Sequence, residues 1–369
     1  MIHTLNKQIN CFLALKNWKI ILAIISPVIV VFFSFPNLNH PEEFYNPFFE
    51  YVKNPFVTHY YPAESTYSKL TFRLLPILFT KFLKLNFTGV IIWQYIIGIF
   101  LIFNFSTLLH KISKSNLITL LSTLSIILIF TGKLSFINLK PNFDSLALAL
   151  FCLYFIKENK ILKFIILFLI CWIDERAILS SFFLILYDVF FESPNGLKSK
   201  ISNSILLIIP SCLYVLLRIL LIKKFGLISS TGGISLKILA LNLNLLPLSI
   251  WQSFEGNWIV IAFCFYIIYK IKSNKLILFT FFFLILFAAI VLASNLVYDV
   301  SRSLVYLFPM LIISYKLLYK ISDNNTILKI TKYSCLLSFI YPSFIVGGPK
   351  IEWMKPYIIN LIFQFFTNS

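Results

Sequence analysis

Four short segments place ionisable side chains where they could do chemistry. The first is His40-Pro41-Glu42-Glu43. Two adjacent carboxylates can hold a divalent metal or share a proton. Crowding of like charges raises one pKa, which suits a general base. The same residues also compose an ordinary acidic turn. The second segment is Lys140-Pro141-Asn142-Phe143-Asp144. Asp144 is suited either to cap a helix or to face a polar cavity. The third is Asp174-Glu175-Arg176, set inside an apolar stretch. A charge at membrane depth costs ~2.5–3.5 kcal/mol on insertion scales, so it faces a partner or a polar cavity. The fourth is Asp299-Val300-Ser301-Arg302, whose acid and base are three apart and share a helical face. Arg73 and Arg218 interrupt two more apolar stretches, and Arg218 needs a partner. Arginine is the side chain suited to bidentate phosphate contact.

The elements that must position these groups are membrane spans. Of 369 residues, 59% are hydrophobic and only 12% are charged, with a mean hydropathy of +0.88. So few charges cannot cover a water-soluble surface, which in ordinary domains is drawn from about 25% charged residues. The apolar residues come in long runs such as 20–35, 90–109 and 276–293, and such runs read as spans. The net charge of +18 does not point to nucleic acid, because the lysines fall in short groups between apolar runs, where they set topology. The six cysteines and four histidines show neither CxxC nor zinc-ligand spacing.

The pattern predicts an all-α, polytopic integral membrane protein with about eleven transmembrane helices. The chain reads as a single transmembrane domain over 1–369, without a separate soluble domain. Lys7, Lys16 and Lys19 precede the first run and place the N-terminus in the cytoplasm. A first outer loop and juxtamembrane helix occupy 37–86. In its last part Arg73, Lys81 and Lys84 interrupt apolar residues, as in a helix lying at the interface. The stretch around Asp174-Arg176 reads as a helical hairpin, since a single long span would turn the later lysine groups outward. The segment 223–256 reads as an outer loop. Together the acids and arginines describe an outward-facing polar cavity.

The segment HPEEFYNPFFEYV resembles the first-loop HPDE-type motif of the C-superfamily (GT-C) glycosyltransferases, especially the mannosyltransferase-like branch. Glu50, and Arg73 ahead of Pro76, are similar to the Glu and the Arg-before-Pro that follow the motif. PNFDSLALAL, WIDERAILSS and DVSRSLVYLFP resemble recurring features of multi-span bacterial proteins of this type. Glu42 stands where the family more often has Asp, and Glu43 matches the next Glu. The resemblance implies transfer of a sugar from a polyprenyl-phosphate donor to a glycan or lipid acceptor, at the non-cytoplasmic face of a bacterial plasma membrane. Glu42 and Glu43 would be catalytic, as base or metal ligands. Arg73, Arg176 and Arg302 would contact phosphate, and Asp144, Asp174, Glu175 and Asp299 would shape the cavity. No cofactor is implied beyond a divalent metal. The large external domain of some branches is not expected. The competing expectations are an oligosaccharide-repeat polymerase and a transporter or flippase of lipid-linked sugars.

Overall fold

The structure, a computed structural model, describes residues 2–34, 41–59, 67–137, 140–141, 143–192, 197–228, 236–347, 350–357 and 359. Side chains are described for these except at 2–6, 41–44, 67–69, 197–204 and 206. His40 lies outside the described residues, as do the side chains of Glu42 and Glu43.

The chain is mostly helical. In order the helices are α1 (Ile2–Ala14), α2 (Trp18–Phe33), α3 (Pro41–Lys53), α4 (Leu74–Phe82), α5 (Phe87–Ser113), α6 (Asn116–Leu128), α7 (Phe130–Ile137), α8 (Asp144–Ile156) and α9 (Lys160–Cys171). There follow α10 (Arg176–Tyr187), α11 (Leu197–Phe225), α12 (Leu236–Leu243), α13 (Leu246–Phe254), α14 (Trp258–Ile271), α15 (Asn274–Asn295), α16 (Val300–Leu304), α17 (Phe308–Ile321) and α18 (Asn324–Ile340). Two strands, β1 (Phe344–Gly347) and β2 (Lys350–Trp353), pair antiparallel with Phe344 opposite Trp353. This hairpin departs from the all-α expectation and follows closely on the end of α18.

Local chemistry sets several helix starts. Asn86 accepts from the Gly89 amide at 2.9 Å, Asn159 from those of Ile161 and Leu162, and Asp323 from that of Thr326. Each satisfies donors that a helix N-terminus leaves open. Short connectors then fold consecutive helices back on one another. The long α5 is the hub, packed on α2, α6, α7 and α8, while α17 lies between α5, α10 and α14.

Among the described residues, four helical stretches are long and apolar enough to cross a membrane: 87–113, 246–271, 274–295 and 300–321. Counting two bent pairs as single spans gives up to six. The expectation of about eleven is therefore not matched. The physical reason is length. A straight span needs about 20 residues, whereas α8, α9 and α10 have 13, 12 and 12. Hydropathy counts apolar runs, and several runs here are broken. The pair α6 and α7 bends by 58° at Ile129. The stretch 246–271 is interrupted by a 3₁₀ turn at Glu255–Asn257. The predicted juxtamembrane helix over 69–86 is shorter than expected: a 3₁₀ turn, Tyr67–Phe72, leads into the nine-residue α4. The segment 223–256, read as an outer loop, contains α12 and α13 and carries Glu255 into the core.

Candidate functional site

The charges that interrupt the apolar runs converge at one end of the bundle. Asp174 and Glu175 lie in the break between α9 and α10. Asp174 takes three hydrogen bonds from Arg176: from its amide at 2.9 Å, from Nε at 2.8 Å and from Nη2 at 2.7 Å. The same carboxylate is 2.7 Å from Nη2 of Arg73, the residue that opens α4. Arg176 also donates to Asp144 Oδ1 at 3.2 Å and to the Ser303 hydroxyl at 2.7 Å. Arg302 Nε donates to Asp144, and its Nη1 reaches Asp299 Oδ2 at 3.2 Å. Tyr306 donates to Asp144 at 2.8 Å. Three arginines and three aspartates, from four separated parts of the chain, thus form one network.

Asp144 and Asp174 are buried, with side chains only 1% exposed. An unpaired charge there would cost several kcal/mol, which removes solvation as the explanation for these residues. Arginine meets the need because its planar fork serves several acceptors at once. Asp144 is the first residue of α8 but makes no cap hydrogen bond; it spends its oxygens on Arg176, Arg302 and Tyr306. Ser180 donates to the Tyr306 carbonyl and ties α10 to the same turn.

Glu175 stands at the margin. It accepts from Arg218 of α11 at 2.5 Å, which gives Arg218 its partner. The Arg218 guanidinium also lies 4.2 Å from the Phe72 ring centroid, a cation–π contact. Beside this pair lies an apolar cleft of about 360 Å³. Leu74 and Leu78 of α4, Phe168 and Trp172 around α9, Leu217 and Leu221 of α11, and Phe56 line it. The volume falls in the range of ligand pockets, ~300–1,000 Å³. The arginines adjoin it in sequence: Arg73 precedes Leu74, and Arg218 follows Leu217. The Leu75 amide donates to the Trp172 carbonyl at 3.1 Å and fixes α4 against the α9 end.

Part of the first-loop motif lies in α3. Glu42 and Glu43 are in the first turn of α3, which packs on α4 and on the preceding 3₁₀ turn. Tyr45, one turn on, donates to Gln94 at 3.1 Å. Tyr51 shares a hydrogen bond of 3.2 Å with Thr71. Burial pushes the Tyr51 hydroxyl above its ordinary pKa, so it stays protonated. Phe48 of α3 and Arg73 line a small cavity of about 10 Å³ between these elements, room for about one water.

Among the described residues, no three His, Cys, Asp or Glu side chains converge as a metal site. Sequence reasoning missed one buried pair, Lys133 and Glu255, each next to a glycine in what reads as a connector. A Cβ on Gly132 would stand 2.1 Å from the Ile126 carbonyl, and one on Gly256 2.3 Å from that of Ser334. The glycine beside each residue was the signal the sequence offered. Comparison with known proteins places the chain in no group: no protein family, curated protein or solved structure matches it.

Proposed function

We propose that the protein is a membrane glycosyltransferase that moves a sugar from a polyprenyl-phosphate donor to a glycan or lipid acceptor. On this reading it serves envelope glycan assembly at the outer face of a bacterial plasma membrane, with its N-terminus in the cytoplasm. One observation carries the reading. An apolar cleft, fit for a lipid chain, is lined by Leu74 and Leu217, the sequence neighbours of Arg73 and Arg218, whose guanidiniums are fit for a phosphate. The resemblance of the first-loop motif to GT-C enzymes adds the chemistry.

In that chemistry Glu42 or Glu43 takes the proton of an acceptor hydroxyl. The acceptor oxygen bonds to the anomeric carbon as the bond from that carbon to the phosphate oxygen breaks. The configuration inverts, and the polyprenyl phosphate leaves against the arginines. Asp144, Asp174 and Asp299 hold Arg176 and Arg302 in place. A divalent metal, if one is used, would be held at Glu42 and Glu43.

Mass analysis of envelope glycans and lipid-linked sugars in three strains tests this. They are a deletion, a wild-type complement and a Glu42→Gln/Glu43→Gln complement. The expected result is one sugar missing from the deletion and restored by the wild type alone. Full restoration by the double variant removes the carboxylates from catalysis. Shortened chains with every sugar present would instead mark a repeat polymerase.

A transporter or flippase of lipid-linked sugars is the second reading. It is favoured by the breaks at Ile129 and at Glu255–Asn257, since discontinuous helices build binding sites in many transporters. Accumulation of the complete lipid-linked sugar on the inner face of the deletion strain would select it.

A further inference from the structure

The two broken helices meet at a second ionic centre that the proposed reaction does not use. Lys133 lies in α7 and is 3% exposed, and Glu255 in the 3₁₀ turn is fully buried. Lys133 Nζ donates to the Ser343 hydroxyl at 2.8 Å, and that hydroxyl donates to Glu255 Oε1 at 2.8 Å. The other carboxylate oxygen, Oε2, is buried and has no hydrogen-bond partner among the described residues. The backbone at Glu255 is held at φ 45° and ψ −121°. A side chain rarely adopts that conformation, and such strain costs of order 1–3 kcal/mol. Thr131 donates to the Ser253 carbonyl at 2.9 Å and locks the two breaks together.

Packing does not explain this centre. Small hydroxyl residues at helix contacts are ordinary in membranes, but a lysine and a glutamate are not. An apolar pair would fill the same space without the desolvation cost. The bridging serine leaves the charges only indirectly paired, and one oxygen stays unfilled.

We propose that Lys133, Ser343 and Glu255 form a proton-exchange site within the membrane-embedded helices. Glu255 Oε2 takes a proton from water and returns it to water, while the Lys133 ammonium supplies the opposing charge. Of the helices packed on the Glu255 turn, α18 carries Lys329, Lys332, Tyr333 and Cys335, and α14 carries Cys264, Tyr266, Tyr269 and Lys270. Tyr341 stands at the end of α18, and Tyr315 of α17 donates to Asn257 at 3.5 Å. The sequences of α6 and α13 carry no titratable side chain. Polar side chains adjoin the centre on both sides. Toward the arginine network, the Ser301 hydroxyl approaches Gln252 at 3.4 Å, and Ser301 directly precedes Arg302. On the other side Ser334 donates to Asn257 at 3.1 Å and lies 3.3 Å from Ser125.

Infrared titration of the full chain in lipid nanodiscs tests the site. The carboxylic C=O band is followed over roughly pH 5 to 9, where buried lysines and carboxyls are documented to exchange protons. The wild type is expected to show a titrating band that Glu255→Gln removes. Ser343→Ala keeps the band but moves its midpoint by about half a pH unit or more, the equivalent of one lost hydrogen bond. A wild type without a titrating band, or a band unchanged by Glu255→Gln, overturns the proposal. If Glu255→Gln fails to fold, Ser343→Ala decides, and an unmoved midpoint overturns it.

Discussion

The helices α10 and α17 lie side by side, and an ionic cluster stands at each end of α10. At one end are Arg73, Arg176 and Arg302 with Asp144, Asp174 and Asp299. At the other are Lys163, Lys316 and Lys320 with Asp188 and Glu192. From Arg176 to Glu192, at ~1.5 Å per residue, the two are about 25 Å apart along the helix. The cations differ in kind. The first end uses only arginine, around Asp144 and Asp174, which are almost wholly buried, with Asp299 at its rim 41% exposed. The second uses only lysine, and Glu192 and Lys320 are 43% and 46% exposed. Lysine can extend an apolar stem and keep its head near water. Lys316 does so over the rings of Tyr187 and Phe155, at 4.4 and 4.9 Å. Arginine can satisfy several buried acceptors at once. The first end is therefore built to hold fixed charge away from water, and the second to anchor helices at a wet boundary.

The largest effect expected from breaking this contrast is at Arg176. Arg176→Met leaves Asp174 and Asp144 with fewer partners and should destabilise the fold by ~3–5 kcal/mol, read as a lowered unfolding midpoint in detergent. Arg176→Lys should recover only part of that, because an ammonium cannot keep the Asp174, Asp144 and Ser303 contacts together. Next comes Asp144→Asn, which weakens the bonds from Arg302 and Arg176 and should cost ~1.5–3 kcal/mol by the same measurement. At the lysine end, Lys320→Ala should change stability by about 0–1 kcal/mol. A loss as large as that of Arg176→Met would erase the distinction between the two ends. The smallest effect is at Asp323, the exposed cap of α18. Hydrogen bonds from the Thr326 hydroxyl and amide hold its carboxyl below the ordinary pKa. Its contribution is present above the ordinary carboxylate value of about 3.9 and disappears as the pH falls through the folded value. Thermal melts of Asp323→Ala and the wild type should differ at neutral pH and converge in acid.

The arginine end was legible in the sequence because its charges interrupt apolar runs, and a charge there must have a partner. Arg73, Asp174 and Arg176 stood out on that ground, Asp144 as a residue suited to a cap or a cavity, Asp299 and Arg302 as an acid and a base three apart on one helical face, and Arg218 as a charge in need of a partner. Which residues would pair was not legible, since Asp144 at the start of α8 and Arg302 of α16 meet only in the folded chain. Lys133 and Glu255 were hidden because Thr-Gly-Lys and Glu-Gly-Asn read as connectors. Tight backbone contacts at Gly132 and Gly256 turn those connectors into buried breaks. Four to six spans stand among the described residues, and the apolar runs alone do not show which others cross, as apolarity marks burial in a membrane protein whether or not a helix crosses in one piece.

The central claim is that the apolar cleft, with Arg73 and Arg218 next to its lining residues in sequence, holds a lipid phosphate. The most direct test is binding of a polyprenyl monophosphate to the purified full chain in nanodiscs, for the wild type, Arg73→Gln and Arg218→Gln. Loss of one charge-assisted contact, ~1.5–3 kcal/mol, predicts affinity lower by about 10-fold or more in each variant, with dephosphorylated polyprenol binding weakly to all three. Equal affinity of wild type and both variants for the phosphate would contradict the claim.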